Sequence, residues 1–138
     1  MKTSRLEQSQ ESISIPFTGL GSLYDVTWPD RENSDLTIDL NDFVNKNPTA
    51  SYFVRVSGAS MSGAGIHDND ILLIDRTLDA NNGDIIVAAI NGEFTVKEVR
   101  FHPLRLIPHN PTFKTIHVSE ADNYELFGVV SCVIRRLK

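Results

Sequence analysis

Gly83-Asp84-Ile85-Ile86-Val87-Ala88-Ala89-Ile90-Asn91-Gly92-Glu93-Phe94-Thr95-Val96-Lys97 contains two apolar runs on either side of Asn91-Gly92. Asn-Gly tolerates positive φ at both central positions of a type I′ turn, so the stretch predicts a β-hairpin joining Asp84 to Ile90 with Glu93 to Val99. If Ile90 faces Glu93, Ala88 faces Thr95 and Ile86 faces Lys97. One face then carries Ile86, Ala88, Ile90, Thr95, Lys97 and Val99. A lysine ending up on an apolar face is the unusual consequence. Desolvation disfavours its ammonium form, which moves the pKa from about 10.4 toward the roughly 7 to 8 of a general base.

Upstream, Tyr52 to Val56 reads as a strand, and Ser57-Gly58-Ala59-Ser60-Met61 as the sharp turn that leaves it. A serine hydroxyl becomes a nucleophile once a neighbouring base takes its proton, and a neutral lysine amine can be that base. Ser60 and Lys97 are the candidate pair. The backbone N–H groups of Ser60 and Met61, at the start of a short turn, are candidates for an oxyanion hole. Gly63 and Gly65 would let a substrate strand come close. Ser57, Ser62 and Thr95 stand near enough in sequence to orient the pair, though turn hydrogen bonding explains the serines equally well.

Further short apolar runs at Ile71 to Asp75, Arg105 to Pro108 and Tyr124 to Arg135 alternate with Gly, Pro, Asn and Asp turns. Asp39 to Lys46 predicts the one short helix, with Asp39 as N-cap, Leu40, Phe43 and Val44 on one face, and Asn47-Pro48 ending it. The fold class is mostly β: a curled antiparallel sheet with one short helix and an extended N-terminal arm. The boundary falls near Asn33, giving an arm over 1–33 and a compact domain over 34–138. Residues 1–14 are polar and expected to be mobile, and an extended segment begins at Ile13-Ser14-Ile15-Pro16-Phe17.

With 138 residues and 41% hydrophobic content, the chain supports one core, and no repeat suggests a second. A single cysteine, Cys132, excludes an intrachain disulfide and reads as a buried thiol in a reducing cytoplasm. No apolar stretch reaches the length of a membrane span, and Met1-Lys2-Thr3-Ser4-Arg5 lacks the apolar core of a signal peptide, so no membrane association is expected. The net charge of -5 and the absence of a sustained basic stripe argue against avid non-specific binding to duplex DNA, and no direct sequence-specific DNA binding is expected either; Arg135, Arg136 and Lys138 read as a solvated strand end. No helix-turn-helix precedes the candidate pair. His67, His102, His109 and His117 have no paired ligand spacing and read as surface or turn histidines, so no metal and no cofactor is expected. Asp68-Asn69-Asp70 lacks the glycine and the terminal glutamate of a calcium loop and reads as a turn.

Taken in order, Ser57-Gly58-Ala59-Ser60-Met61, Asp68-Asn69-Asp70-Ile71-Leu72-Leu73-Ile74-Asp75, Gly83 to Ala89 and Gly92 to Lys97 resemble the LexA/UmuD family of Ser-Lys self-cleaving peptidases. The likeness runs from about Ile38 to the C-terminus and includes Leu106-Ile107-Pro108-His109-Asn110 and Leu126-Phe127-Gly128-Val129-Val130. It implies a serine peptidase with Ser60 as nucleophile and Lys97 as general base. It also implies self-cleavage of the arm, stimulated by the RecA filament on single-stranded DNA. The processed homodimer would then join a Y-family polymerase subunit of the UmuC kind in the error-prone lesion bypass of SOS mutagenesis.

The arm departs from the family's pattern. The family cuts between Ala or Cys and Gly, whereas an ungapped match puts Tyr24-Asp25 at that place. Leu20-Gly21 and Thr18-Gly19 both supply the glycine, and Leu20-Gly21 is the favoured cleavage site. Two functions from different classes therefore stand: a latent peptidase acting on its own arm, and a non-cleaving dimeric module of the same fold that binds a polymerase or RecA. A third, a phage or plasmid regulator using the domain to dimerise, lacks a visible DNA-binding element.

Overall fold

The computed structural model of the chain describes residues 3–5, 14–16, 37–44 and 48–138. Leu20-Gly21, Thr18-Gly19, Tyr24-Asp25 and the boundary near Asn33 lie outside the described residues. The chain divides into two compact units, residues 1–6 with 47–138 and residues 7–46.

In the larger unit, β1 (Thr3–Arg5), β4 (Ser51–Arg55), β5 (Ile71–Asp75), β6 (Ile85–Ile90), β7 (Glu93–Arg100), β8 (Arg105–Ile107), β9 (Ile116–His117) and β10 (Tyr124–Ile134) form an eight-stranded sheet in the order β1-β4-β5-β10-β6-β7-β8-β9. Every pairing is antiparallel. In the smaller unit, β2 (Ser14–Pro16) pairs antiparallel with β3 (Thr37–Asp39), with Ile15 opposite Ile38. The helix α1 spans Leu40–Val44, and the Asp39 carboxylate caps it by accepting the Asn41 N–H at 2.9 Å. Its apolar residues are not core: Phe43 is 65% exposed, and α1 buries none of its side chains.

The apolar runs of residues 51–135 become strands whose ends lie within a residue of the expected positions. The hairpin forms in the expected register, with Ile90 opposite Glu93, Ala88 opposite Thr95 and Ile86 opposite Lys97. Asn91 and Gly92 take φ of 51° and 86°. Three details differ. Thr3–Arg5, read as part of a mobile start, pairs with β4 along its outer edge, a backbone match that polar side chains do not announce. The two-residue β9 is too short to leave a pattern. Cys132 is half-buried rather than buried, and it sits next to the bulge of β10 between Val130 and Cys132.

Burial on both faces of β6 explains its unbroken apolar run. Val87 packs with Val54, Met61, Ile66, Leu72, Ile74 and Val96, whereas Ile86 and Ala88 pack with Val99, Leu106 and Val129. The central strand β10 joins the halves by pairing with β5 on one side and β6 on the other. That arrangement brings the turn after β4 to the side of β7.

Candidate active site

The turn that carries Ser60 is closed at its base by Val56. Its N–H donates to Asp70 O at 2.8 Å, and its O accepts the Asn69 N–H at 2.9 Å. Within the loop, the Gly58 N–H donates to Asp68 Oδ1 at 2.8 Å, and the N–H groups of Ala64 and Ile66 donate to Met61 O at 3.0 and 3.2 Å. Met61 and Ile66, both nearly fully buried, pin this turn to the core. Asp70, 1% exposed, ties the loop's end to the C-terminal segment: Arg135 donates to it through Nε and Nη2, and Nη2 also donates to Gly65 O at 2.7 Å. Arg135, read with Arg136 and Lys138 as a solvated strand end, keeps its side chain 38% exposed and also serves as a structural tie to Asp70. The Arg135 hydrogen bonds hold the Asp70 carboxyl below its ordinary 3.8, against the opposing effect of burial.

Lys97 projects from β7, cross-strand from fully buried Ile86, and is itself 7% exposed. Its Nζ lies 2.9 Å from Ser60 Oγ, 2.6 Å from Thr95 Oγ1 and 3.1 Å from Val96 O. Among the described residues no carboxylate forms an ion pair with it. Burial without a counter-charge pushes the Lys97 pKa down. In the neutral amine, two N–H groups serve Val96 O and Thr95 Oγ1, and the lone pair is left to accept the Ser60 hydroxyl proton. The same three oxygens can each accept one N–H of the ammonium, so the contacts accommodate both protonation states.

The N–H groups of Ser60 and Met61 make no hydrogen bond to any described residue. They are thus donors without an acceptor among the described residues. A cleft of about 220 Å³ runs over the pair, lined by the 57–61 turn, by Phe94 to Lys97 and by Phe113. Phe94 and Phe113 are each 45% exposed. On the far side from β6, β7 meets β8 only from Glu98 to Arg100, so the stretch ahead of Glu98 has no strand neighbour there among the described residues. An extended peptide can pair with such an edge.

Of the residues expected to assist, Thr95 touches Lys97, and Ser62 Oγ accepts a long 3.4 Å bond from Asn110 Nδ2. Sequence reasoning missed Asn110 itself. Its Nδ2 also donates to Ala59 O at 2.9 Å. The separation from Ala59 to Asn110 is too great for local pattern, and the signal available was only that Pro108-His109-Asn110 sits in a resembling motif. Among the described residues no group of three His, Cys, Asp or Glu is placed to hold a metal ion, and no helix is long and apolar enough to cross a membrane.

The profile of the Peptidase S24-like family matches residues 25–131. Protein ImpA of Salmonella typhimurium is 37% identical over 113 residues, covering 80% of this chain and 76% of its own. Protein MucA of Escherichia coli is 41% identical over 96 residues, covering 68% of this chain and 66% of its own. Protein SamA of Salmonella typhimurium strain LT2 is 34% identical over 111 residues, covering 80% of this chain and 77% of its own.

Proposed function

The chain belongs to the Peptidase S24-like family, serine peptidases of the LexA/UmuD kind, and from that premise we propose that Ser60 and Lys97 form a catalytic dyad whose chief substrate is the chain's own N-terminal arm. The observation that carries this reading is the 2.9 Å contact between Lys97 Nζ and Ser60 Oγ in a buried setting without a counter-charge. Neutral Lys97 takes the Ser60 proton as Oγ attacks the scissile carbonyl carbon. The resulting oxyanion accepts hydrogen bonds from the N–H groups of Ser60 and Met61, the proposed oxyanion hole. The Lys97 ammonium returns the proton to the leaving amine nitrogen, and an ester on Ser60 remains. A water deprotonated by Lys97 then hydrolyses that ester and restores both side chains.

A tethered substrate has a high effective concentration, so slow chemistry suffices. We place the cut at Leu20-Gly21, where the glycine gives the backbone the freedom that a close approach to Ser60 requires. The biological role that fits is SOS mutagenesis. The RecA filament on single-stranded DNA would favour the arrangement with the arm in the cleft and thereby accelerate cleavage. The processed homodimer would then serve a Y-family polymerase subunit of the UmuC kind in lesion bypass. The absence of Ala-Gly or Cys-Gly in the arm favours the second reading, a module of the same fold that binds RecA or a polymerase without cutting.

Incubation with RecA, an ATP analogue and single-stranded DNA, followed by N-terminal sequencing of any product, separates the two readings. Cleavage predicts a new N-terminus at Gly21 that does not form in Ser60→Ala. A chain that binds the filament and stays intact would favour the non-cleaving module.

A further inference from the structure

The nucleophile turn is held from outside by the segment between β8 and β9. The His109 N–H donates to Ser60 O at 2.9 Å, and the Gly63 N–H donates to His109 O at 2.7 Å. Asn110 Nδ2 adds its bond to Ala59 O. The approach is so close that a Cβ on Gly63 would stand 2.5 Å from His109 O. Ser60's own carbonyl is thus held by the backbone of His109, in addition to the anchoring of the turn by Met61 and Ile66.

His109 is in turn fixed by β7. Its Nε2 lies 3.0 Å from Glu98 Oε1, and Arg100 Nε donates to Glu98 Oε2 at 2.9 Å. Glu98 is largely buried, with its side chain 16% exposed. The Arg100 guanidinium holds the Glu98 carboxyl below its ordinary 4.5, with the His109 ring adding to it against the effect of burial. Glu98 is therefore a carboxylate near neutral pH, and the imidazole nitrogen facing it is the donor. Glu98 follows Lys97 directly on β7, the strand that supplies the base.

We propose that Arg100, Glu98 and His109 form a positioning relay that references the Ser60 turn to the strand carrying Lys97, and so sets the distance between Ser60 Oγ and Lys97 Nζ. None of the three touches the reacting atoms. The relay acts on Ser60 through the His109 backbone, while its links from Arg100 to Glu98 and from Glu98 to the His109 ring depend on side-chain identity. This inference rests on the reading of Ser60 and Lys97 as a dyad. It gives His109 a task that its reading as a surface or turn histidine did not.

The test is the rate at which a small fluorophosphonate modifies Ser60 in the full chain, read by intact mass, because this reaction needs the activated serine and not the arm. His109→Ala and Glu98→Ala are each expected to slow it by roughly 10- to 100-fold, the scale on which misplacement of a reacting group acts. The double variant should be no slower than either single one. His109→Gln, whose amide can still donate to Glu98, should recover most of the rate, which a loss of general stability would not explain. Wild-type rates in both alanine variants, or additive losses without recovery in His109→Gln, would overturn the relay. If the wild type reacts no faster than Ser60→Ala, the dyad itself is wrong and the relay falls with it.

Discussion

Lys97 is buried beside uncharged partners, and its chemistry follows from that cost. The folded-state pKa lies below its ordinary 10.5, so the unfolded chain binds the extra proton in the window between the two values. Stability therefore rises with pH across that window, and below it the folded chain carries the full penalty of a buried ammonium. Lys97→Met removes the penalty. Urea unfolding should find the variant more stable than wild type at pH 7, with the gap closing as the pH approaches about 10.5. If Lys97 is the base, as proposed, self-cleavage should accelerate with pH and level off before an ordinary lysine would titrate. The desolvated face was legible from the alternation of Ile86, Ala88, Thr95 and Lys97 around Asn91-Gly92. The hydrogen bonds from Lys97 to Val96 O and Thr95 Oγ1 were not, since they depend on how a flexible side chain folds back along its own strand.

At the scale of elements, two turns meet: the Ser60 turn after β4 and the segment between β8 and β9. Gly63 is the contact point, and its need for glycine comes from the approach of the His109 carbonyl rather than from its own φ. Gly63→Ala should destabilise the fold by about 1–3 kcal/mol, the usual cost of inserting an atom into a packed site. It should also slow self-cleavage beyond what the stability loss explains, because the displaced backbone carries Ser60. Thermal unfolding and the cleavage rate, measured on the same sample below the transition, separate the two effects. Strands β4, β5, β6, β7, β8 and β10 were legible from runs of apolar and β-branched residues bounded by turn residues. β1 and β9 were not, because strands of three and two residues are too short to show a pattern. The clamp by His109 and Asn110 joins residues far apart in sequence, and nothing local to either stretch encodes it.

Across the whole molecule, β10 unites the sheet, and the segment just beyond it returns to the base of the Ser60 loop through Arg135 and Asp70. Since the Asp70 pKa is depressed, the tie's contribution is present above about pH 3.8 and is lost as the pH falls through the folded value. Arg135→Met should be less stable than wild type at pH 7, and the difference should shrink as the pH falls below about 3.8 without vanishing, since the bond to Gly65 O does not titrate; urea titration across that range reads it. Leu72, fully buried on β5 between β4 and β10, tests the core itself: Leu72→Ala should lose about 2–5 kcal/mol in the same assay. The account as a whole stands on Ser60 and Lys97 cutting a peptide bond of this chain. Intact-mass spectrometry of the purified protein after incubation alone at alkaline pH, beside Ser60→Ala and Lys97→Ala, tests that most directly. Self-cleavage by the dyad should give two new masses that sum to the parent plus one water and are absent from both variants. A wild-type mass unchanged at alkaline pH, or the same fragments from Ser60→Ala, would contradict it.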